Sequence, residues 1–418
     1  NELIIEEKHI AKALQQVKIF FNAYKLKSLK EKDIQEIINS ISGISVQEYK
    51  FLKSLLISNK HLINQNIIKT LERKLEPIMP TIKTSFQQIK FLAEPEKPDK
   101  PDKNWNAQKW IKWAKEQYLP YHFWLENSEQ TDDQLSSYSN LFGEWYFSNY
   151  INLIANEKQM IYKTIPNNKD EIIKSKINLF IVIDNFNYKY AKNIEELFQI
   201  KGYINIHNTT YFSQIPSETY YSKKALLLGD HDITNAPSNY EQIVQKNWPI
   251  YLNGKKIYYI PNLSKLNAIQ EINHDIYFLN YLPIDKTLHE DVENLGVPHS
   301  EEIQNKLQKL VEKIDEFINR FQLSNDIKIH ICSDHGSTKI NVNEPNAIDI
   351  NYFKEKDIDL EHCRYIPIKT ENYNKIPFDI KKSCYFLEKN KYKLDENILI
   401  AREYNRFKKI NKNFYVHG

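Results

Sequence analysis

The stretch Ile329-His330-Ile331-Cys332-Ser333-Asp334-His335-Gly336 ends an alternating apolar run in a carboxylate and an imidazole side by side. The alternation reads as a strand. In open α/β sheets ligands sit beyond the carboxyl ends of the strands, so an Asp-His pair there faces a cleft rather than the core. Asn178-Leu179-Phe180-Ile181-Val182-Ile183-Asp184 repeats the arrangement, a continuous apolar run that stops on a carboxylate. Asp285 and His289 are spaced to face one ion from a single helical turn, and His417 follows a last short strand, Phe414-Tyr415-Val416. Three carboxylates and three imidazoles divide into two nitrogen/oxygen sites, suited to two divalent metal ions, zinc first and manganese second. Two such ions a few ångströms apart clamp the attacking and leaving oxygens of a phosphoryl transfer. Pro216-Ser217-Glu218-Thr219 reads as the opening of a helix, where a hydroxyl meets free backbone N–H groups that also accept a phosphate.

Each motif alone also has a plain structural reading. Asp184 reads as an N-cap, Asp334-His335 as a strand-end turn, Asp285 and His289 as a solvated pair, and Ser217 and Thr219 as capping residues. The Lys223-Lys224 pair meets either a phosphate or solvent. His330 and Cys332 fall inside the strand and read as packed residues, while His299 reads as a loop residue near Gly296-Val297-Pro298. The joint pattern, rather than any single motif, favours the chemical reading.

Elements able to position these groups are visible around them. From about 176 onward strands alternate with helices, with strands at 203–206, 256–260 and 275–281 and helices at 193–198, 219–228 and 300–321. That alternation predicts an α/β fold, a mostly parallel sheet sandwiched by helices. The segment 337–382 has weak periodicity and reads as an insertion over the cleft. Residues 1–93 carry apolar positions at helical spacing and two capping-box patterns, Asp33-x-x-Glu36 and Ser45-x-x-Glu48, so an N-terminal helical bundle is expected. The Pro-rich charged segment 94–104 reads as an extended linker. Residues 105–175 hold aromatic-rich helices, among them Trp105, Trp110 and Trp113, expected to pack on the catalytic domain.

Composition narrows the function classes. The chain has 418 residues and a net charge of +3, so no large basic surface for duplex nucleic acid is indicated. Three cysteines without paired spacing exclude a disulfide framework or a four-cysteine zinc site. There is no signal-peptide pattern and no apolar run near membrane-spanning length, which places the chain in the cytoplasm, away from membranes. The chain opens on Asn1 and closes on Gly418, and both ends read as cut from something longer.

The motifs and their order resemble the alkaline phosphatase superfamily, and within it the PglZ domain. The carrying pieces are Ile181-Val182-Ile183-Asp184; Pro216-Ser217-Glu218-Thr219 with Leu228-Gly229 after it; Ile284-Asp285-x-x-x-His289; Ser333-Asp334-His335-Gly336; and Tyr415-Val416-His417-Gly418. They cover about residues 176–418. The resemblance implies an alkaline phosphatase-like fold with Asp184, Asp334 and His335 on one metal ion and Asp285, His289 and His417 on the other. It also implies that Thr219 is the nucleophile and a ligand of the first ion, with Ser217 as fallback. Asn187 stands where the family often has an arginine; with Ser217 and Lys223 it is a candidate for substrate contact. The implied activity is a metal-dependent phosphodiesterase or phosphatase acting on a nucleotide or nucleic acid in bacterial antiphage defence, with protein partners of a defence complex docking on the helical region. The alternative is a metal-binding scaffold component of a defence or signalling complex with little turnover. A sulfatase is disfavoured because no Cys stands near Thr219.

Overall fold

The computed structural model describes residues 7–25, 28–90, 92–128, 130–290, 295, 299–340, 348, 362–403, 405–407 and 414–417. The chain divides into two compact units, Asn1–Tyr138 and Ser139–Gly418.

The first unit is helical. Helices Glu7–Lys25, Glu31–Ser40, Val46–Ser58, Gln65–Lys74 and Met79–Lys90 bury a shared apolar core that includes Ile37, Leu52, Ile67, Leu71 and Phe86. Ser45 caps its helix as expected, its hydroxyl accepting from the Glu48 N–H at 3.4 Å. Asp33 does not: the helix starts at Glu31, and Asp33 reaches back from the first turn to accept from the Lys30 N–H at 2.7 Å. The Pro-rich segment has no regular structure, yet Pro98 and Pro101 are buried. The Trp113 indole N–H donates to the Asp99 carbonyl at 2.9 Å, so the segment packs against its own unit. Trp110 and Trp113 are buried in edge contact at 5.6 Å between ring centres, which makes them packing residues rather than open stacking platforms.

The second unit is α/β. Four strands, β1 (Ile177–Ile183), β2 (Ile257–Ile260), β3 (Ile276–Tyr281) and β4 (Ile327–Ser333), form an all-parallel sheet in the order β2-β3-β1-β4. Every residue of β1 is buried because both faces are covered. Leu179, Ile181 and Ile183 point to a layer containing helix His299–Arg320, which contributes Leu307, Leu310, Ile314 and Phe317. Phe180 and Val182 point the other way, to Leu226, Leu227 and Trp248 of helices Lys224–Leu228 and Tyr240–Tyr251. The expected strand at 203–206 is absent. Its Ile204 and Ile206 are 84% and 77% exposed, so a β-prone sequence with no partner strand stays irregular.

Two smaller antiparallel sheets complete this unit. β5 (Thr338–Ile340) pairs with the chain's last strand, and β6 (Tyr365–Pro367), β7 (Cys384–Leu387) and β8 (Ile398–Ala401) form a sheet in the order β6-β8-β7. The last strand, β9, is Phe414–Val416. Of the segment read as an insertion, 341–347 and 349–361 lie outside the described residues. Among the described residues no helix is long and apolar enough to cross a membrane.

Candidate metal centre

Strand register builds the first half of the site. Ile183 pairs with Ser333 and with Tyr281, so Asp184 and Asp334 emerge side by side at the carboxyl end of the sheet, one residue past their strands. The Asp184 N–H still donates to the Tyr281 carbonyl at 3.0 Å, which extends strand geometry to the ligand. The Ser333 hydroxyl ties the two turns, accepting from the Phe186 N–H at 2.9 Å and donating to the His335 carbonyl at 2.6 Å. Beyond β3 the chain turns into helix Pro283–His289, which places Asp285 and His289 one turn apart. After Gly336 it runs into β5, and the pairing Thr338↔Val416 brings His417 back beside His335, with ring centres 4.8 Å apart.

Two trios result, and each gathers its ligand atoms within 4.8 Å: Asp184, Asp334 and His335, all buried, and Asp285, His289 and His417. The first trio could hold a metal ion. His335 Nε2 lies 3.4 Å from Asp184 Oδ1 and 3.7 Å from Asp334 Oδ2. Thr219 Oγ1 joins it, donating to Asp184 Oδ1 at 3.2 Å and lying 2.8 Å from His335 Nε2. In the second trio the Nε2 atoms of His289 and His417 are 3.0 Å apart, and Asp285 Oδ1 is 3.2 and 3.7 Å from them. A tetrahedral zinc ion with bonds of about 2.0–2.1 Å sets neighbouring ligand atoms roughly 3.3 Å apart. The edges of the second triangle, 3.0, 3.2 and 3.7 Å, and the two His335 edges of the first, 3.4 and 3.7 Å, lie around that value.

Three further observations fit a cation. The His335 Nδ1–H donates to the Gly336 carbonyl at 3.0 Å, which fixes the ring with Nε2 facing Asp184 and Thr219, the orientation that metal-ligating histidines use. Buried Asp334 Oδ2 accepts no hydrogen bond among the described residues, although the Lys223 ammonium lies 3.4 Å and His335 Nε2 3.7 Å from it. Two imidazole nitrogens facing each other at 3.0 Å can share one proton or one ion, and they do not otherwise converge on such a geometry without repulsion between lone pairs.

Charge follows the packing. Burial opposes ionisation of Asp184, yet the His335 hydrogen bond and the Lys223 charge hold its carboxyl well below the ordinary carboxylate range. Burial and the neighbouring Asp184 charge push Asp334 up. Burial opposes a charged His335, but Asp334 and Asp184 raise it to about 9. His417 goes the other way, held down to about 3 by burial and by the facing His335 and His289. Burial pushes the neighbouring Glu218 up to about 7.

The other candidate residues sit around this centre. Thr219 opens the helical stretch that continues through Lys224–Leu228 and ends on Gly229, whose φ of 68° suits a glycine. Ser217 is two residues before Thr219, and among the described residues it bonds to neither trio. Asn187 is buried, its side chain capping the Lys189 N–H at 3.2 Å and pointing its amide at the Ser337 carbonyl, 3.5 Å away. Lys223 is 1% exposed and Lys224 2%, so the solvated reading of that pair fails. The Lys224 ammonium instead lies 3.5 Å over the Tyr220 ring. The Lys223 ammonium is taken up by Asp184 Oδ2 at 2.5 Å and Asp334 Oδ2 at 3.4 Å.

Two neighbours escaped sequence reasoning. Asn185, fully buried with a φ of 55°, joins the trios: its backbone N–H donates to Asp334 Oδ1 at 3.2 Å and its side-chain amide to Asp285 Oδ1 at 3.0 Å. An Asn directly after a strand-end Asp, in a turn where Asn tolerates positive φ, was the available signal. His362 stacks on His417 at 5.4 Å and faces Glu218 Oε1 at 3.9 Å. No local pattern marks it. The His299 Nε2–H donates to the Glu290 carbonyl at 2.8 Å, and His299 opens its helix rather than lying in a loop.

No protein-family model matches the chain, and no curated protein matches it.

Proposed function

We propose that the chain is a metal-dependent phosphoric ester hydrolase, a phosphodiesterase or phosphatase of PglZ type with Thr219 as nucleophile. The observation that carries this reading is the placing of Thr219 Oγ1 at the head of its helix, 3.2 Å from Asp184 Oδ1 and 2.8 Å from His335 Nε2. A hydroxyl used only as a helix cap has no need of a buried carboxylate and a histidine from two other strands.

Two bound ions, zinc or manganese, would supply charge stabilisation at the entering and leaving oxygens, one held by Asp184, Asp334, His335 and Thr219 and the other by Asp285, His289 and His417. Asp184 and His335 orient the Thr219 hydroxyl. That hydroxyl gives up its proton to solvent, its oxygen bonds to phosphorus, and the ester P–O bond opposite breaks, the departing alkoxide taking a proton from solvent. Water then cleaves the phosphothreonine and restores the Thr219 hydroxyl. Asn187 and Ser217 remain candidates for substrate contact, while Lys223, buried with its ammonium on Asp184 and Asp334, reaches a substrate only if that pairing opens. A nucleotide or nucleic-acid substrate, an antiphage role and partner docking on the helical unit rest on the PglZ resemblance.

Hydrolysis of bis-p-nitrophenyl phosphate and a panel of monoesters, with zinc or manganese added, tests this. The wild type is expected to turn over and Thr219→Ala to lose the activity. An unaltered rate in Thr219→Ala contradicts the nucleophile. Inactivity of the wild type on every ester with either ion favours the scaffold alternative.

A further inference from the structure

The two trios differ in one respect that neither motif predicts. The first has a cation of its own. Lys223 projects from the turn after Thr219, is 1% exposed, and places its ammonium 2.5 Å from Asp184 Oδ2, 3.4 Å from Asp334 Oδ2 and 3.4 Å from Asn280 Oδ1. Both carboxylates that an ion would need are therefore already neutralised in part by a fixed positive charge. The second trio has none: among the described residues Asp285 forms ion pairs with His289 and His417 only. Its ligand nitrogens face each other at 3.0 Å.

We propose that Lys223 is a built-in competitor for the Asp184–Asp334–His335 site, so that the two sites fill in order, Asp285–His289–His417 first and tightly, the Lys223 side second and weakly. A divalent ion entering the first trio must share Asp184 and Asp334 with the ammonium or push it aside. Burial leaves the ammonium little room to retreat, because Asn280 and the face of Tyr240, 5.4 Å from Nζ, close the far side. Like charges a few ångströms apart in a poorly solvated site repel strongly. Full occupancy, and with it the geometry around Thr219, then depends on the free ion concentration, and the chain rests in a one-ion state when ions are scarce. This rests on the reading that both trios hold ions.

Manganese titration of the metal-stripped full chain, with free ion followed by electron paramagnetic resonance and bound ion by elemental analysis, decides it. The wild type is expected to show two classes of site, the weaker by at least about ten-fold. Asp285→Ala is expected to remove the tight class and Asp334→Ala the weak one. Lys223→Met should strengthen the weak class by about ten-fold or more, while Lys223→Arg keeps the wild-type order. If Lys223→Met does not fold without metal, the wild type and the two alanine variants still fix the order. Two equal classes in the wild type, or loss of the weak class in Asp285→Ala, overturn the ordering and leave the two-ion reading standing. No bound manganese at millimolar concentration overturns both.

Discussion

Asp184 and Asp334 stand one residue beyond paired positions of neighbouring parallel strands, whereas Asp285, His289 and His417 come from a helical turn and from a short strand held by a three-residue pairing with β5. The first trio is fixed by the sheet. The second is assembled around it, and Asn185 is the link, bonding Asp334 through its backbone and Asp285 through its side chain. The contrast teaches that two adjoining clusters of potential ligands can be half scaffold and half attachment, with a different energetic logic on each side. The scaffold side carries a dense charge set, two carboxylates, an imidazole and Lys223, while the attached side is a carboxylate with two histidines, of which His417 is held neutral by its surroundings.

Removing the group that the scaffold side presents should have the largest effect. Thr219→Ala is expected to lower diester turnover by at least about 10³-fold with little change in bound metal, because the ligands other than its hydroxyl stay in place. A parallel loss of metal and activity would recast Thr219 as a ligand alone. Chelation should come next: stripping the ions is expected to abolish turnover, and zinc or manganese to restore it, with His417→Ala blocking restoration although the sheet-borne trio is untouched. Recovery of full rate in His417→Ala would show that the attached side is dispensable. Asn185→Ala sharpens the comparison, since one residue serves both sides. Loss of a hydrogen-bonding partner of metal ligands typically costs about 10–100-fold in metal affinity, and here both sites should weaken together. Weakening at one site alone would show that Asn185 does not couple them.

How far this was visible beforehand depends on the same contrast. The β1 run declares itself because a strand covered on both faces is apolar throughout, so the Asp184 that ends it stands out; β4, half-buried at the sheet edge, shows instead an alternation that ends in Asp334-His335. Asp285, His289 and His417 were legible only through their order along the chain, because a helical Asp-His pair has many solvated uses and the β5–β9 pairing has no signal of its own length. Lys223 and Asn185 carry the properties that distinguish the two trios, and both were misjudged or missed. A lysine in a helix reads as solvated, and an asparagine after a strand reads as a turn former; burial, which decides both, is set by distant elements. The segment 203–206 erred for the opposite reason, since its β-branched residues invite a strand that the sheet does not receive.

The smallest effect concerns the scaffold itself. His330, in the middle of β4, bonds Asn178 of β1 at 2.9 Å, and burial, partly offset by Glu171, lowers its pKa from 6.5 to about 4. The folded state binds fewer protons here than the unfolded chain, so this contribution to stability is complete above pH 6.5 and is lost as pH falls toward about 4. Denaturation of metal-free protein should show about 2 kcal/mol less stability at pH 5 than at pH 7 from this group, and His330→Gln should remove that part of the slope. An unaltered slope would assign acid sensitivity to the trios instead.

The central claim is that six side chains from four separate segments grip two ions beside one threonine. Anomalous diffraction at the zinc edge from crystals of zinc-loaded protein tests it most directly. The account predicts two strong peaks a few ångströms apart, one among Asp184, Asp334, His335 and Thr219 and one among Asp285, His289 and His417. Peaks confined to the protein surface, with Lys223 still seated between Asp184 and Asp334 at saturating zinc, would contradict it.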